Sequence, residues 1–379
     1  MKNKLINTAL VSSMVGLGMS AAVAQTTISG NLELTYNAVE NKTSKIDSFR
    51  GFGKESQINI ANKGKLNNGM DYAAGFSLEF DGPDVNFATA AAANAGTGSN
   101  VHSENVYIDL IMGNTTLTFG ADHIQNPDNN PTNIAGFGYI ALDGINGQTA
   151  LYPKAANSPY SAYGVGIMQT VPGFGTFSAY YAPTNNTNSG AGNDIHNSAT
   201  AAQFEPASII NGGEESAYEI GFKGNFGVTG LTVQAFMMRG DASDAEGAGA
   251  RDLKGQRLSA SYTTGPFTIA VDKVSQEGVA VGATATVSNK DFEVNGKSLG
   301  LGYALTPNLS ASVLRAKADT DCTTGGTTCG SAEEQTDVFA IGYNLGALTT
   351  TLQYKDAENI HGVAGRDATS LQARIGAKF

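Results

Sequence analysis

The chain has 379 residues, with 34 Asp and Glu against 23 Lys and Arg and a formal net charge of −11. An acidic balance of this size argues against nucleic acid as a partner. Beyond the N-terminus no stretch approaches the roughly 18 apolar residues that a spanning helix needs, so any membrane insertion has to be by strands.

The first residues read as a targeting segment. Lys2 and Lys4 precede an uncharged apolar run, and Ala22-Val23-Ala24 supplies the small residues a signal peptidase accepts. Cleavage is expected after Ala24, giving a signal peptide over 1–24 and a mature chain over 25–379. Two lysines leave with it and no acid, so the mature balance is 21 bases against 34 acids, or −13.

The mature chain opens on an alternating strand. Ile28, Gly30, Leu32, Leu34 and Tyr36 share one face of "TISGNLELTYN", and Ser29, Asn31, Glu33, Thr35 and Asn37 share the other. The pattern returns along the chain and predicts sixteen strands at 27–39, 50–62, 69–80, 102–112, 115–122, 158–171, 174–182, 215–226, 230–240, 252–264, 266–276, 290–304, 308–319, 335–345, 348–357 and 368–379. The last, "SLQARIGAKF", places Leu371, Ala373, Ile375, Ala377 and Phe379 on one face and Gln372, Arg374, Gly376 and Lys378 on the other. Registers near Arg50, Lys54 and Arg315 are left open by the pattern.

The connections alternate in length. Brief turns rich in Gly, Pro and Asn, such as "VPGFG" at 171–175, "TGP" at 264–266 and "NLGA" at 344–347, alternate with long polar loops at 81–101, 122–157, 183–214 and 320–334. That asymmetry predicts an all-β transmembrane antiparallel β-barrel, short-turned at the periplasmic end and long-looped outside. A soluble sandwich would not require it.

In their order, "TISGNLELTYN", "INIANKGKLNNGMDYAAGFSLEF", "LTFGAD", "SAYGVGIMQTVPGFGTFSAYY" and the terminal "ARIGAKF" resemble the general porins of Gram-negative outer membranes, most closely the sixteen-stranded alphaproteobacterial type. The resemblance implies a homotrimer of water-filled barrels in the outer membrane, surrounded by its lipid and lipopolysaccharide and admitting small polar solutes and ions. It also implies that the third long loop, 122–157, folds inward to constrict the pore, and that Phe379 is the assembly signal read by the barrel-assembly machinery. The loop carries few ionisable groups, namely Asp122, His123, Asp128, Asp143 and Lys154, and so departs from the strongly acidic loop common in the family. Trp is absent, so an aromatic girdle has to be built from Tyr and Phe.

Strand parity nominates the residues of the pore. Lys223, Arg257, Lys355, Arg374 and Lys378 are expected to face the lumen with Glu33, Glu55, Asp71, Glu79, Asp109, Glu219 and Asp272, and the inward loop offers Asp128 and Asp143. Acids outnumber bases in this set, which predicts a weakly cation-selective, non-specific pore for small hydrophilic solutes. Cys322 and Cys329, the only two cysteines, lie in "CTTGGTTC" and predict one disulfide within an outer loop.

No catalytic or metal motif emerges, and no cofactor is expected. The four histidines, at 102, 123, 196 and 361, lack metal-ligand spacing. Ser103 beside His102 is the nearest hydrolase candidate, but adjacent strand residues point to opposite faces. "DASDAEG" at 241–247 and "DTD" at 319–321 could hold Ca²⁺ with loop carbonyls, although a solvated acidic loop is the simpler reading. An adhesive or structural barrel and an outer-membrane hydrolase remain as alternatives to the channel.

Overall fold

The computed structural model describes residues 25–42, 49–80, 101–120, 132–136, 164–182, 214–242, 253–277, 292–322 and 331–379. The expected signal peptide and most of the long loops lie outside these.

Sixteen strands form the wall: β1 (Gln25–Asn41), β2 (Phe49–Lys65), β3 (Asp71–Phe80), β4 (Val101–Met112), β5 (Thr115–Gly120), β6 (Gly164–Val171), β7 (Gly175–Ala182), β8 (Glu214–Gly224), β9 (Leu231–Ala242), β10 (Leu253–Thr264), β11 (Phe267–Glu277), β12 (Phe292–Thr306), β13 (Leu309–Cys322), β14 (Glu334–Leu345), β15 (Leu348–Glu358) and β16 (Ala368–Lys378). Each pairs antiparallel with its neighbours in sequence, and β16 returns to β1 to close the barrel. Closure leaves no sheet edge, so every strand finds its backbone partners within the wall, as a bilayer demands.

The alternation seen in the sequence becomes a two-faced wall. Leu32, Leu34, Ile108, Ile167, Leu258, Ile269, Leu301, Phe339 and Leu352 stand exposed on the outer surface. Between them, inward, lie Ser77, Thr118, Ser259, Ser298, Ser312 and Gln353, all buried. This inverts a soluble core: the solvent for the apolar face is lipid.

Tight turns close one end. Gly265 and Gly346 hold positive φ angles of 55° and 72°, which any side chain would resist. Around the turn joining β8 and β9 the rings of Phe174, Phe177, Phe222 and Phe226 pack together, with Phe174 and Phe226 edge-on at 4.7 Å between centroids. Phe267 and Tyr303 form a second pair at 4.8 Å. A girdle without Trp is therefore built from Phe and Tyr.

The chain end is locked into closure. Phe379 donates its backbone N–H to the Gly30 carbonyl and accepts from the Gly30 N–H, both at 3.0 Å. A Cβ on Gly30 would lie 2.7 Å from the Phe379 ring and 2.3 Å from the Gln57 carbonyl oxygen, so the residue opposite the terminal ring has no room for a side chain.

Candidate functional site: the barrel lumen

A chain segment from the loop between β5 and β6 lies against the inner wall. Residues 132–136, "TNIAG", cross the inward faces of β12 to β15. The Thr132 and Ser298 hydroxyls share a hydrogen bond of 2.8 Å, the Asn133 side-chain amide donates to Gln353 Oε1 at 2.8 Å, and the Ala135 N–H donates to Ser312 Oγ at 2.9 Å. All six of these residues are buried.

The seat exists because the wall is bare where the segment lies. A Cβ on Gly300 would come within 2.0 Å of the Thr132 carbonyl oxygen, one on Gly302 within 2.6 Å of Ile134 Cγ2, and one on Gly342 within 2.9 Å of the Ala135 carbonyl oxygen. Three inward glycines thus make a groove for backbone, and Ser298, Ser312 and Gln353 supply its polar anchors. This part of the third loop lies inward, in line with what the resemblance implies. Asp128 and Asp143 lie outside the described residues.

The nominated wall charges divide into pairs and isolated positions. Arg257 on β10 and Asp272 on β11 form a two-pronged ion pair, Nε to Oδ1 at 2.8 Å and Nη2 to Oδ2 at 3.1 Å. Both side chains are essentially removed from solvent, at 1% and 0% exposure. They are inward but not wetted, and Asp272 stands opposite Ser298, the residue that holds Thr132. Lys355, two residues beyond the loop anchor Gln353, is also fully buried. Arg374 pairs with Glu33 across the β1–β16 closure.

The remaining candidates are scattered. Lys223 is exposed, one residue before the end of β8, and Lys378 ends β16 on the same short-turned side. Asp71, at the start of β3, pairs with Lys65. Asp109 accepts a 2.7 Å hydrogen bond from Thr118, and Glu219 is buried on β8. Glu55 and Glu79 have inward register positions, Glu55 opposite Glu33, but their side chains lie outside the described set. Arg315, whose register the sequence leaves open, faces outward and pairs with Asp337 at 2.7 Å.

A second inward element is absent from the sequence reading. The connection 359–367 between β15 and β16 carries a single 3₁₀ turn at Ile360–Gly362. Ile360 joins Val39, Leu314, Ala316, Val338, Ala357 and Ala368 in a buried apolar cluster within the barrel. Asn359 anchors the connection by donating to the Glu333 carbonyl at 3.0 Å and accepting from the Gly365 N–H at 2.9 Å. Half-buried Arg366 has its pKa lowered by desolvation, with Glu334 opposing that shift. The available signal was parity failing: Val313 and Leu314 are apolar on both faces of β13, as are Val338 and Phe339 on β14.

Among the described residues no cluster of three or more His, Cys, Asp or Glu could hold a metal. The histidine side chains, Cys329 and residues 243–247 lie outside them, and with these the cysteine pairing and one of the two Ca²⁺ loops considered above. Of the other, "DTD" at 319–321, only the Asp319 side chain is described, so neither loop is tested as a Ca²⁺ site.

Comparison with known proteins bears on what this lumen is. A family model described as Gram-negative porin matches residues 8–362. No curated protein matches. Among solved structures, the anion-selective porin from Comamonas acidovorans is similar at a TM-score of 0.60 and 14% identity, covering 94% of this chain and all of that one. OmpF of Salmonella typhi in complex with daunomycin gives 0.64 at 12% identity over 93% of this chain and 97% of that one. A Rhodopseudomonas blastica porin mutant gives 0.53 at 11% identity over 94% and 100%. A closed sixteen-stranded wall, a polar lumen with a loop seated inside it, and a family match across nearly the whole chain make this protein a Gram-negative porin, a channel of the outer membrane.

Proposed function

We propose that the barrel is a weakly cation-selective, non-specific diffusion pore for small hydrophilic solutes, constricted by the third loop and assembled as a homotrimer. The observation that carries the proposal is the seat of residues 132–136 on the inner wall, which brings a loop into the permeation path and fixes it there by three hydrogen bonds. A loop held this way sets the effective radius, and charges near it act over about a Debye length, roughly 8 to 10 Å.

Selectivity follows from how the bases are used. Arg257 and Arg374 each share their charge with a carboxylate, so neither stands as an uncompensated attractor of anions. Asp109 and Glu219 add negative charge on other parts of the wall, and the mature chain is acidic as a whole. One neighbour is named an anion-selective porin, so the fold itself carries no sign. The trimer is supported by the structure of another neighbour, Vibrio cholerae OmpT, described as a trimer form.

The test is the reversal potential across a bilayer bathed in a KCl gradient. Cation preference gives a potential of the sign set by K⁺ flux, and Arg374→Gln should move it further that way. A chloride-signed potential would overturn the selectivity. An adhesive barrel would show no conductance, and a hydrolytic one would lose ester or peptide cleavage on His102→Ala.

A further inference from the structure

The connection 359–367 and the third-loop segment 132–136 are seated on the same three strands. On β13 the Ser312 hydroxyl holds Ala135, and Leu314 and Ala316, two and four residues nearer the long-looped end, belong to the cluster around Ile360. On β14 Gly342 lies against the Ala135 carbonyl, and Val338, four residues nearer the long-looped end, is in that cluster. On β15 Gln353 holds Asn133, and Ala357 stands four residues beyond it in the same direction. Four residues along a strand span about 13 Å. The two inward elements therefore occupy successive levels of one wall.

The wall is built to receive the outer element. Leu314 and Val338 put branched apolar side chains on an inward face that is polar at Ser312 and Gln353, and open to lumen water they would be costly; both are buried together with Ile360. The connection is also closed upon itself and tied at its sides. The Ile360 N–H donates to the Arg366 carbonyl and the Asn359 N–H to Asp367 Oδ1, each at 2.9 Å. The Ala332 N–H donates to the Gly362 carbonyl at 2.8 Å and the Lys42 N–H to the Asp367 carbonyl at 3.1 Å, so chain on both flanks holds it. Asn359 takes the left-handed conformation, φ 53°, that starts the turn, which asparagine tolerates. One isoleucine staples a preformed turn to the inner wall.

We infer that residues 359–367 form a second constriction, on the long-looped side of the third-loop segment and in series with it, with Ile360 holding the element in place and exposed Ala364 beside the path. A solute is sorted twice. The inference rests on the channel reading of the lumen but not on the sign of its selectivity. Passages in series add as resistances, so each element makes its own contribution whatever the other does. Each buried methylene counts for about fourfold in an equilibrium, so trimming Ile360 to alanine shifts the connection toward release by about sixtyfold.

The experiment records single channels of the full-length protein, refolded in detergent and inserted in a planar bilayer. Ile360→Asn should lower the channel's resistance, and should lower it by the same amount in a chain that also lacks about residues 128–145. Ala364→Lys and Ala364→Asp should shift the reversal potential in a KCl gradient in opposite senses, toward chloride and toward potassium, because a charge acts over roughly 8 to 10 Å. A packing role alone would not move that potential. Heat-modifiable gel mobility reports folding separately, and if Ile360→Asn fails to fold, Ile360→Ala should lower the resistance in its place. An unchanged or raised resistance, a drop that disappears when the third-loop segment is removed, or a reversal potential indifferent to both Ala364 variants would overturn the second constriction. Failure of the third-loop reading shows separately, as a deletion that leaves resistance unchanged in a chain keeping Ile360.

Discussion

Gly300→Ala is the sharpest perturbation of the loop seat. The added Cβ would sit 2.0 Å from the Thr132 carbonyl oxygen and 2.7 Å from its carbonyl carbon. Ordinary contact requires about 3.4 Å, so the loop backbone has to retreat by about 1.4 Å, enough to break the bonds it makes to Ser298, Gln353 and Ser312. Each such bond contributes about 1 kcal/mol net, so docking by the three is worth about 3 kcal/mol, roughly a hundredfold in population. The natural channel should show one conductance level with the loop released about one part in a hundred of the time. Gly300→Ala should bring the released state to comparable occupancy, seen in single-channel records as a second level or raised open-channel noise. The wall itself keeps its strand pairing, so thermal unfolding should be little changed. A single level with unaltered noise and conductance would refute the claim that this contact fixes the constriction.

Three further outcomes follow. Asp272→Ala strands a buried guanidinium and should destabilise the barrel by about 3 to 5 kcal/mol, whereas Arg257→Met with Asp272→Leu should recover most of that; heat-modifiable gel mobility reads both. Deleting Phe379, or Gly30→Val, which drives a side chain into its ring, should reduce folded protein in the outer membrane while leaving secretion across the inner membrane intact, and unchanged levels on immunoblots would leave the terminal ring without an assembly role. Thiol titration of the unreduced, denatured protein should find neither Cys322 nor Cys329 free; two reactive thiols per chain would remove the expected loop disulfide.

All sixteen strands were legible because a barrel wall is a repeated two-faced object. Runs such as Ile28 to Tyr36 and Leu371 to Phe379 expose the same period whatever their partners, and the closure that joins them follows from their even number and alternating connections. Inward parity also nominated Arg257, Lys355 and Arg374; the structure buries the first two and pairs the third with Glu33. Their state was not legible. Arg257 is held by a diagonal partner on the next strand, Asp272, and that pairing leaves no mark in local periodicity. The glycine seat was visible only as glycines within strands, a signal shared with many bends, until Gly300, Gly302 and Gly342 met one segment. The inward turn at Ile360 was hidden for another reason. Its apolar partners lie on five strands, each contributing one or two residues to a cluster that no single stretch contains.

The most direct test of the account is single-channel recording of the purified protein in a planar lipid bilayer, alongside a variant lacking about residues 128–145. The account predicts stable open steps for the natural chain and larger steps with a relaxed solute size limit for the variant. Bilayers that take up folded barrels yet carry no current, or a deletion that leaves both step size and size limit unchanged, would contradict it.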